Sequence, residues 1–471
     1  MSDGMSPKIV DVARRRKEER VAWVTTMSAS AVLFLSCGFL MSFSVFFLEL
    51  KVYFNTGAHE VSWLVALQFS IAMIIGPLSV SMSRRFDSRF VVFVGGYTIS
   101  LGLIISAFSN AMFLLYFSYG IMPGIGLGLV ISSALSSIEF KADNPSQNTR
   151  RLVCYTGASL GGIILPLVAN FFIQLYDWYG ALLLLCASML NICVFSILLK
   201  RPLVATEKQN TSMFGNGTTS LNGSYRMAAG NTVTENQNLI NGHDRNTPKV
   251  DYPLVNELAI IRKTPMYILY LVIHVLVGMA LFIPSVYLTA YAIESNVDEV
   301  YVVFYIPMLS LGALLSHTVI TLNPFDFSPY IILIISVAIA TLGSCAIPLK
   351  TTAGVLFAFA VVHGFAKTVI TTTLDDIASK MVKESDGTPR MTLCLPLLGV
   401  GQLVGIVLTG VAFDATGTYD LAFYVGGALL GMVLLLILPT LVQRCRAEDT
   451  NCGRRPKKIV QERRAYRSSS L

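Results

Sequence analysis

The chain has 471 residues, of which 54% are hydrophobic and 13% charged, with a formal net charge of +7 and a mean hydropathy of +0.63. A water-soluble enzyme of this length carries far more charge, so that class is excluded at once. The net positive charge needs no nucleic acid to explain it, because its placement along the chain reads as a membrane-topology signal.

The apolar residues fall in blocks of about 20, the length that a helix needs to cross a bilayer core of about 30 Å. In chain order, residues 1–21 are a charged tail containing Arg14, Arg15, Arg16 and Lys17. No cleavable signal is expected, since this tail precedes a first span too long for a signal's apolar region. Six spans are predicted at residues 22–48, 60–82, 90–109, 112–138, 152–175 and 179–199. Residues 200–264 then form a polar linker rich in Asn, Gly, Ser and Thr, expected to be disordered. Six more spans follow at 265–292, 299–321, 329–348, 353–376, 391–413 and 420–442, before a basic tail at 443–471.

Lys and Arg divide between the two sides of this layout. One side holds the N-terminal run, Arg84, Arg85, Arg89, Lys141, Arg150, Arg151, the linker, Lys380, Lys383, Arg390 and the tail, whereas the other holds only Lys51 and Lys350. Both termini and the linker are therefore expected in the cytosol, which requires an even number of spans. The sequons at Asn210, Asn216 and Asn222 would then remain unglycosylated. Cys37, Cys154, Cys186, Cys193, Cys345 and Cys394 fall within spans without metal-ligand or disulfide spacing, and Cys445 and Cys452 follow the last span in a position that permits palmitoylation. Gly124, Gly126 and Gly128 lie inside an apolar span, where small residues permit close helix packing rather than phosphate binding.

Within the spans, charge is rare. Lys367 is the sole Lys or Arg predicted deep in a span, with His363 one helical turn before it on the same face and no Asp or Glu in the middle of any span. A charge at mid-membrane costs about 2.5–3.5 kcal/mol on insertion scales and is kept mainly for function. A small organic anion is thus a candidate partner for Lys367, against the bland reading of a neutral or carbonyl-capped structural amine. Tyr119, Tyr155, Tyr287, Tyr291, Gln68 and Asn170 offer polar groups for a pocket, with Tyr119 and Tyr287 as the chosen candidates; interfacial or interhelical roles are the alternative for each.

Several stretches resemble the monocarboxylate transporter family of the major facilitator superfamily. They are Ser42 to Glu49 at the end of the first span, His59 to Leu64 opening the second, the basic loop Arg85 to Arg89 followed by Gly95 and Gly96, Asp177 to Gly180, and Phe413 to Tyr419 with Gly426 and Gly427 beyond. The resemblance implies an all-α membrane fold of twelve helices in two six-helix halves, working by alternating access and needing no cofactor. It implies that the first, fourth, seventh and tenth spans line a central cavity, which brings Lys367, His363 and His274 near the substrate path. Asp87, Arg89, Arg150 and Arg151 are assigned to gating on the cytoplasmic side, and a like reading suits Asp414.

Departures from the family pattern qualify the chemistry. Only Trp23 and an acidic start remain of the first-span signature, residues 142–149 are inserted before Arg150 and Arg151, and Met41 stands where classical members carry a Lys. Residues 301–315 hold no charge where an Asp and Arg pair is usual. The expected function is transport of small carboxylate-bearing solutes, with obligatory proton coupling and facilitated transport both open, and a non-transporting sensor or scaffold of the same fold as the rival. Family analogy adds a plasma-membrane location and a single-span immunoglobulin-type ancillary glycoprotein as partners of this fold, besides lipid and solute.

Overall fold

The computed structural model describes residues 7–138, 145–199, 265–322, 328–381 and 393–452. The linker with its sequons, Lys141, Lys383, Arg390 and the tail beyond Cys452 lie outside the described residues. All regular structure among the described residues is helical.

The first set comprises α1 (Pro7–Phe54), α2 (Ala58–Phe86), α3 (Ser88–Ala107), α4 (Met112–Ser136) and α5 (Pro145–Leu198). The second comprises α6 (Pro265–Leu281), α7 (Ile283–Glu294), α8 (Tyr305–Leu322), α9 (Pro329–Ala346), α10 (Ala353–Met381), α11 (Cys394–Thr416) and α12 (Asp420–Cys452). Eleven helices among the described residues are long and apolar enough to cross a membrane, rather than the expected twelve. The difference lies in α5, where the predicted spans 152–175 and 179–199 run together and the backbone breaks from helical geometry at Asp177 (φ 57°, ψ 178°). The span predicted at 265–292 is found as one candidate crossing, Tyr267–Glu294, built of two helices, α6 and α7, which meet at Phe282. Pro284, in the first turn of α7, has no N–H to continue the ladder. A π-helical turn, Tyr116–Ile121, interrupts α4.

Apolar side chains cover the outside as well as the core. Phe113 is 82% exposed and Leu342 70%, while Phe39, Phe46 and Tyr305 are wholly buried. An exterior of this kind suits lipid, in which burial of apolar area gives no force to hold helices together and van der Waals packing takes over. Glycines supply it. A Cβ on Gly161 of α5 would fall on the Phe34 carbonyl of α1, one on Gly364 of α10 on the Leu309 carbonyl of α8, and one on Gly401 of α11 on the Val275 carbonyl of α6. Gly126 of α4 meets α3 at the Gly95 carbonyl (2.6 Å from an added Cβ), and Gly124 and Gly128 face α2, as close-packing glycines should.

Side-chain substitution at Gly364 should force α8 and α10 apart. Gly364→Ala is expected to destabilise by about 1–3 kcal/mol, the range for overpacking, seen as a lower melting temperature and less monodisperse protein in detergent. Gly354→Ala, where an added Cβ meets nothing within 4 Å, should leave both unchanged.

Candidate functional site

Lys367 sits in the middle of α10 and is only 9% exposed. Its Nζ donates to Ser285 Oγ at 2.7 Å and lies 4.2 Å from the centroid of the Phe282 ring. Among the described residues, no ion pair involves it. The contacts are therefore a hydroxyl and a π face, both neutral, and both come from the α6/α7 break. His363, one turn earlier, turns Nε2 toward the Leu281 carbonyl at 3.2 Å. Leu281 ends α6, where the final carbonyls lack in-helix donors, so the break supplies the acceptor. His363 Nδ1 is buried without a hydrogen-bond partner among the described residues, and its ring packs 5.1 Å from Phe359.

The other candidates fall elsewhere. His274 meets the Tyr270 carbonyl at 2.6 Å and Asp375 Oδ1 at 3.2 Å, which pins α6 to α10 two turns along from Lys367. Both of its ring nitrogens are thus engaged by protein. Tyr119, in the π turn of α4, stands among Phe39, Phe43 and Phe46 at 5.8, 5.6 and 6.5 Å, and its hydroxyl has no partner among the described residues. Tyr287 is fully buried, with its hydroxyl 2.5 Å from Ser62 Oγ and donating to the Ile406 carbonyl at 2.7 Å. It joins α2, α7 and α11. Tyr291 bonds Thr351 and Asp420 at 3.0 and 3.1 Å.

Of the charged candidates, Arg89 donates from Nε to the Leu199 carbonyl and lies 4.0 Å from Asp87, so this pair ties the α2–α3 turn to the end of α5 inside the first set. Asp87 itself takes a positive φ of 76° at that turn. Arg151 lies 5.6 Å over the Tyr155 ring, which stacks on His317 at 4.4 Å and 8°. That column joins α5 to α8, across the two sets. Arg150 stands beside Arg151 in the opening turns of α5.

At the end of the bundle that carries the α1–α2 turn, Asp414 acts across the sets. Its carboxylate accepts from the backbone N–H of Ala58 at 2.8 Å and of His59 at 2.9 Å, and it lies 2.5 Å from His59 Nδ1. These N–H groups open α2, so a carboxylate from α11 caps a helix of the first set and meets its positive dipole end. Asp414 lies in the last turn of α11 rather than just beyond the span. Beside it, Lys51 lies 4.4 Å over Phe413, which stacks on Tyr419 at 4.0 Å, and Tyr419 N donates to Glu294 Oε2 at 3.2 Å. Gly57 must be small, because an added Cβ would lie 2.8 Å from Asp414 Oδ2. Ser285 and Phe282 were missed from sequence; Pro284 inside an apolar span was the available signal for the break that turns them toward Lys367.

The profile of the Major Facilitator Superfamily matches residues 29–322, more than half of the chain. The chain belongs to this superfamily, and membrane transport of small solutes is its activity. Within the superfamily it is similar to monocarboxylate transporters over most of its length. It is 27% identical over 432 residues to monocarboxylate transporter 1 of Bos taurus, covering 87% of this chain and 82% of that protein. Identity to monocarboxylate transporter 2 of Homo sapiens is 25% over 444 residues, covering 91% of this chain and 87% of that protein. Among solved structures, the fold is similar to the nucleoside transporter NupG (TM-score 0.65, 11% identity, 89% and 99% covered). A POT family transporter in complex with 5-aminolevulinic acid is also similar (TM-score 0.61, 13% identity, 89% and 95% covered).

Asp414→Ala should loosen the α2–α11 end of the seam, since hydrogen bonds to a charged group are worth about 1.5–3 kcal/mol each. A cysteine placed at Ser62 is expected to react with a polar thiol reagent at least about tenfold faster in the Asp414→Ala background than alone, in detergent-solubilised protein.

Proposed function

We propose that the chain carries small carboxylate-bearing organic solutes across a membrane by alternating access, with Lys367 as the anion-binding group. The observation that carries this reading is the buried Nζ held, among the described residues, only by Ser285 and Phe282. An ammonium has three donor hydrogens, and one bond to a neutral hydroxyl leaves donors for a carboxylate. A buried cation without an opposite charge is costly, and a bound anion relieves that cost during each passage.

Twelve crossings in two six-helix halves follow from length. As one crossing, the 52 residues of Gln147–Leu198 would extend about 78 Å at 1.5 Å per residue, more than twice a bilayer core of about 30 Å. Asp177 is the point at which we divide α5 into two spans. The halves are then 22–199 and 265–442, both termini lie in the cytosol, and the Asp414 cap and the Arg151–Tyr155–His317 column are contacts at opposite ends that must break in turn as the halves rock. His363, with Nδ1 unbonded among the described residues, is a second contact for solute, and Tyr119, whose hydroxyl also lacks a partner there, is the candidate from the first half. His274 and Tyr287 take positioning roles, since protein groups already occupy their polar atoms.

Uptake into proteoliposomes tests the reading. Lys367→Ala is expected to lower saturable carboxylate uptake by about 30-fold or more, the result of about 2 kcal/mol or more for truncating one partner of a buried charge pair. Lys367→Arg should retain part of it, and a pH gradient decides whether a proton travels too. Carboxylate uptake unaltered in a normally inserted Lys367→Ala protein would sink the assignment.

A further inference from the structure

Cys394, the first residue of α11, has donors around its sulfur. It is buried with Tyr267 of α6 and Ala378 of α10. The Tyr267 hydroxyl, a better donor than a thiol, lies 3.9 Å from the sulfur, and the His274 imidazole takes Cys394 as a hydrogen-bond and charge partner. Cys154, Cys186 and Cys193 instead donate to the carbonyls of Thr26, Ser100 and Phe93 at 3.7, 3.3 and 3.6 Å. A thiol that donates to a carbonyl must keep its hydrogen, whereas a sulfur that receives hydrogens is suited to the thiolate.

The His274 ring is set to hold the proton that such a thiolate gives up. Nδ1 lies 2.6 Å from the Tyr270 carbonyl, which can only accept, so this nitrogen carries a hydrogen. Nε2 lies 3.2 Å from Asp375 Oδ1. A carboxylate accepts from Nε2 only when the ring is protonated on both nitrogens, so the geometry suits imidazolium beside thiolate. Among the described residues, Asp375 and Cys394 are the ionisable groups that act on this ring. The N–H groups that open α11 lack in-helix acceptors and Leu393 gives no side-chain cap, so the positive end of a 23-residue helix meets the same sulfur. The Asp375 side chain is 27% exposed, which brings solvent to the edge of the cluster. A nucleophile, a base and an orienting carboxylate thus converge from α11, α6 and α10.

We propose that Cys394 is a peroxide-reactive thiol, a modification site at which a hydroperoxide oxidises the sulfur to a sulfenic acid. The thiol proton passes to His274 Nε2, and the sulfur attacks one peroxide oxygen, so that an S–O bond forms as the O–O bond breaks. Nε2 returns the proton to the departing oxygen, which leaves as water when the oxidant is hydrogen peroxide. Sulfur loses two electrons and the peroxide gains them. Hydrogen peroxide is close to water in size and enters where a bulky thiol reagent does not, and the Tyr267 hydroxyl stands where it can bond the new oxygen. Excess small thiol restores the cysteine through a mixed disulfide.

The experiment exposes full-length protein in detergent to hydrogen peroxide, stops the reaction with catalase and unfolds the protein in dimedone, so that mass spectrometry counts sulfenic acid at each cysteine. Cys394 is expected to be oxidised about tenfold faster or more than Cys154 near neutral pH. That factor is the gain of a full thiolate over the few per cent of an ordinary thiol, less the lower nucleophilicity of a stabilised one. Its rate should change little between about pH 6 and pH 8, where that of an ordinary thiol rises about tenfold per unit. His274→Asn and Asp375→Asn should each slow it by about threefold or more and restore the steep pH dependence. Oxidation of Cys394 no faster than that of Cys154, or a rate that climbs with pH as for an ordinary thiol, would overturn the proposal. So would a rate unchanged or raised in both variants, since burial alone would then control the sulfur. If neither variant accumulates as monodisperse protein, the wild-type comparison and pH profile still decide.

Discussion

Backbone-to-backbone contact between helices is the constraint on which everything else in this molecule depends. Lipid offers no hydrophobic gain for bringing two apolar helices together, so they must touch closely enough for dispersion to hold them. Gly161 against Phe34, Gly364 against Leu309, and Gly401 and Gly405 against Val275 and Met279 are places where no side chain fits between the backbones. These contacts place α10 against α8 and α11 against α6. With the helices so fixed, a long side chain on α10 can reach only what the α6/α7 break presents to it. The site is a consequence of packing before it is a matter of polar chemistry.

Two polar contacts use groups that helix geometry leaves unpaired, the first across the two helix sets and the second within the second set. Asp414 takes the first N–H groups of α2, and His363 faces the last carbonyl of α6. Helix ends are where a membrane protein has unsatisfied backbone to spend on contacts that must later open. Tyr287 stands between these regions, with its ring 5.4 Å from Phe47 of α1 and 5.3 Å from Tyr419, and its hydroxyl on α2 and α11. A displacement of α7 relative to α1 therefore disturbs the Asp414 end and the Phe282–Ser285 break together. In our reading of the function, this is how occupancy near Lys367 communicates with the end of the seam.

The neutral surroundings of Lys367 separate it from the other polar residues of the spans. His274 has a carboxylate beside it, Arg89 a backbone carbonyl and a nearby Asp, and Arg151 an aromatic stack. Only a hydroxyl and a ring attend the ammonium among the described residues. In our reading of the function, that contrast marks Lys367 as the group for an external anion, whereas the others have partners within the protein.

Much of this was legible in the sequence. The membrane class, the span positions and the solitary depth of Lys367 with His363 one turn away follow from hydropathy and from the helical repeat, both of which are local properties of the chain. So does the reading of Gly124, Gly126 and Gly128 as packing residues, because small side chains in an apolar helix have few other uses. What only the tertiary structure decided are the partners. That Asp375 sits beside His274 and that Asp414 caps α2 from more than 350 residues away are outcomes of helix register and rotation. The break at Phe282 and the merging of two expected spans in α5 were also hidden, since hydropathy measures how apolar a segment is and not where its backbone turns. Composition specifies the solvent that a helix meets, whereas the identity of its neighbour depends on contacts between distant residues that no local pattern encodes.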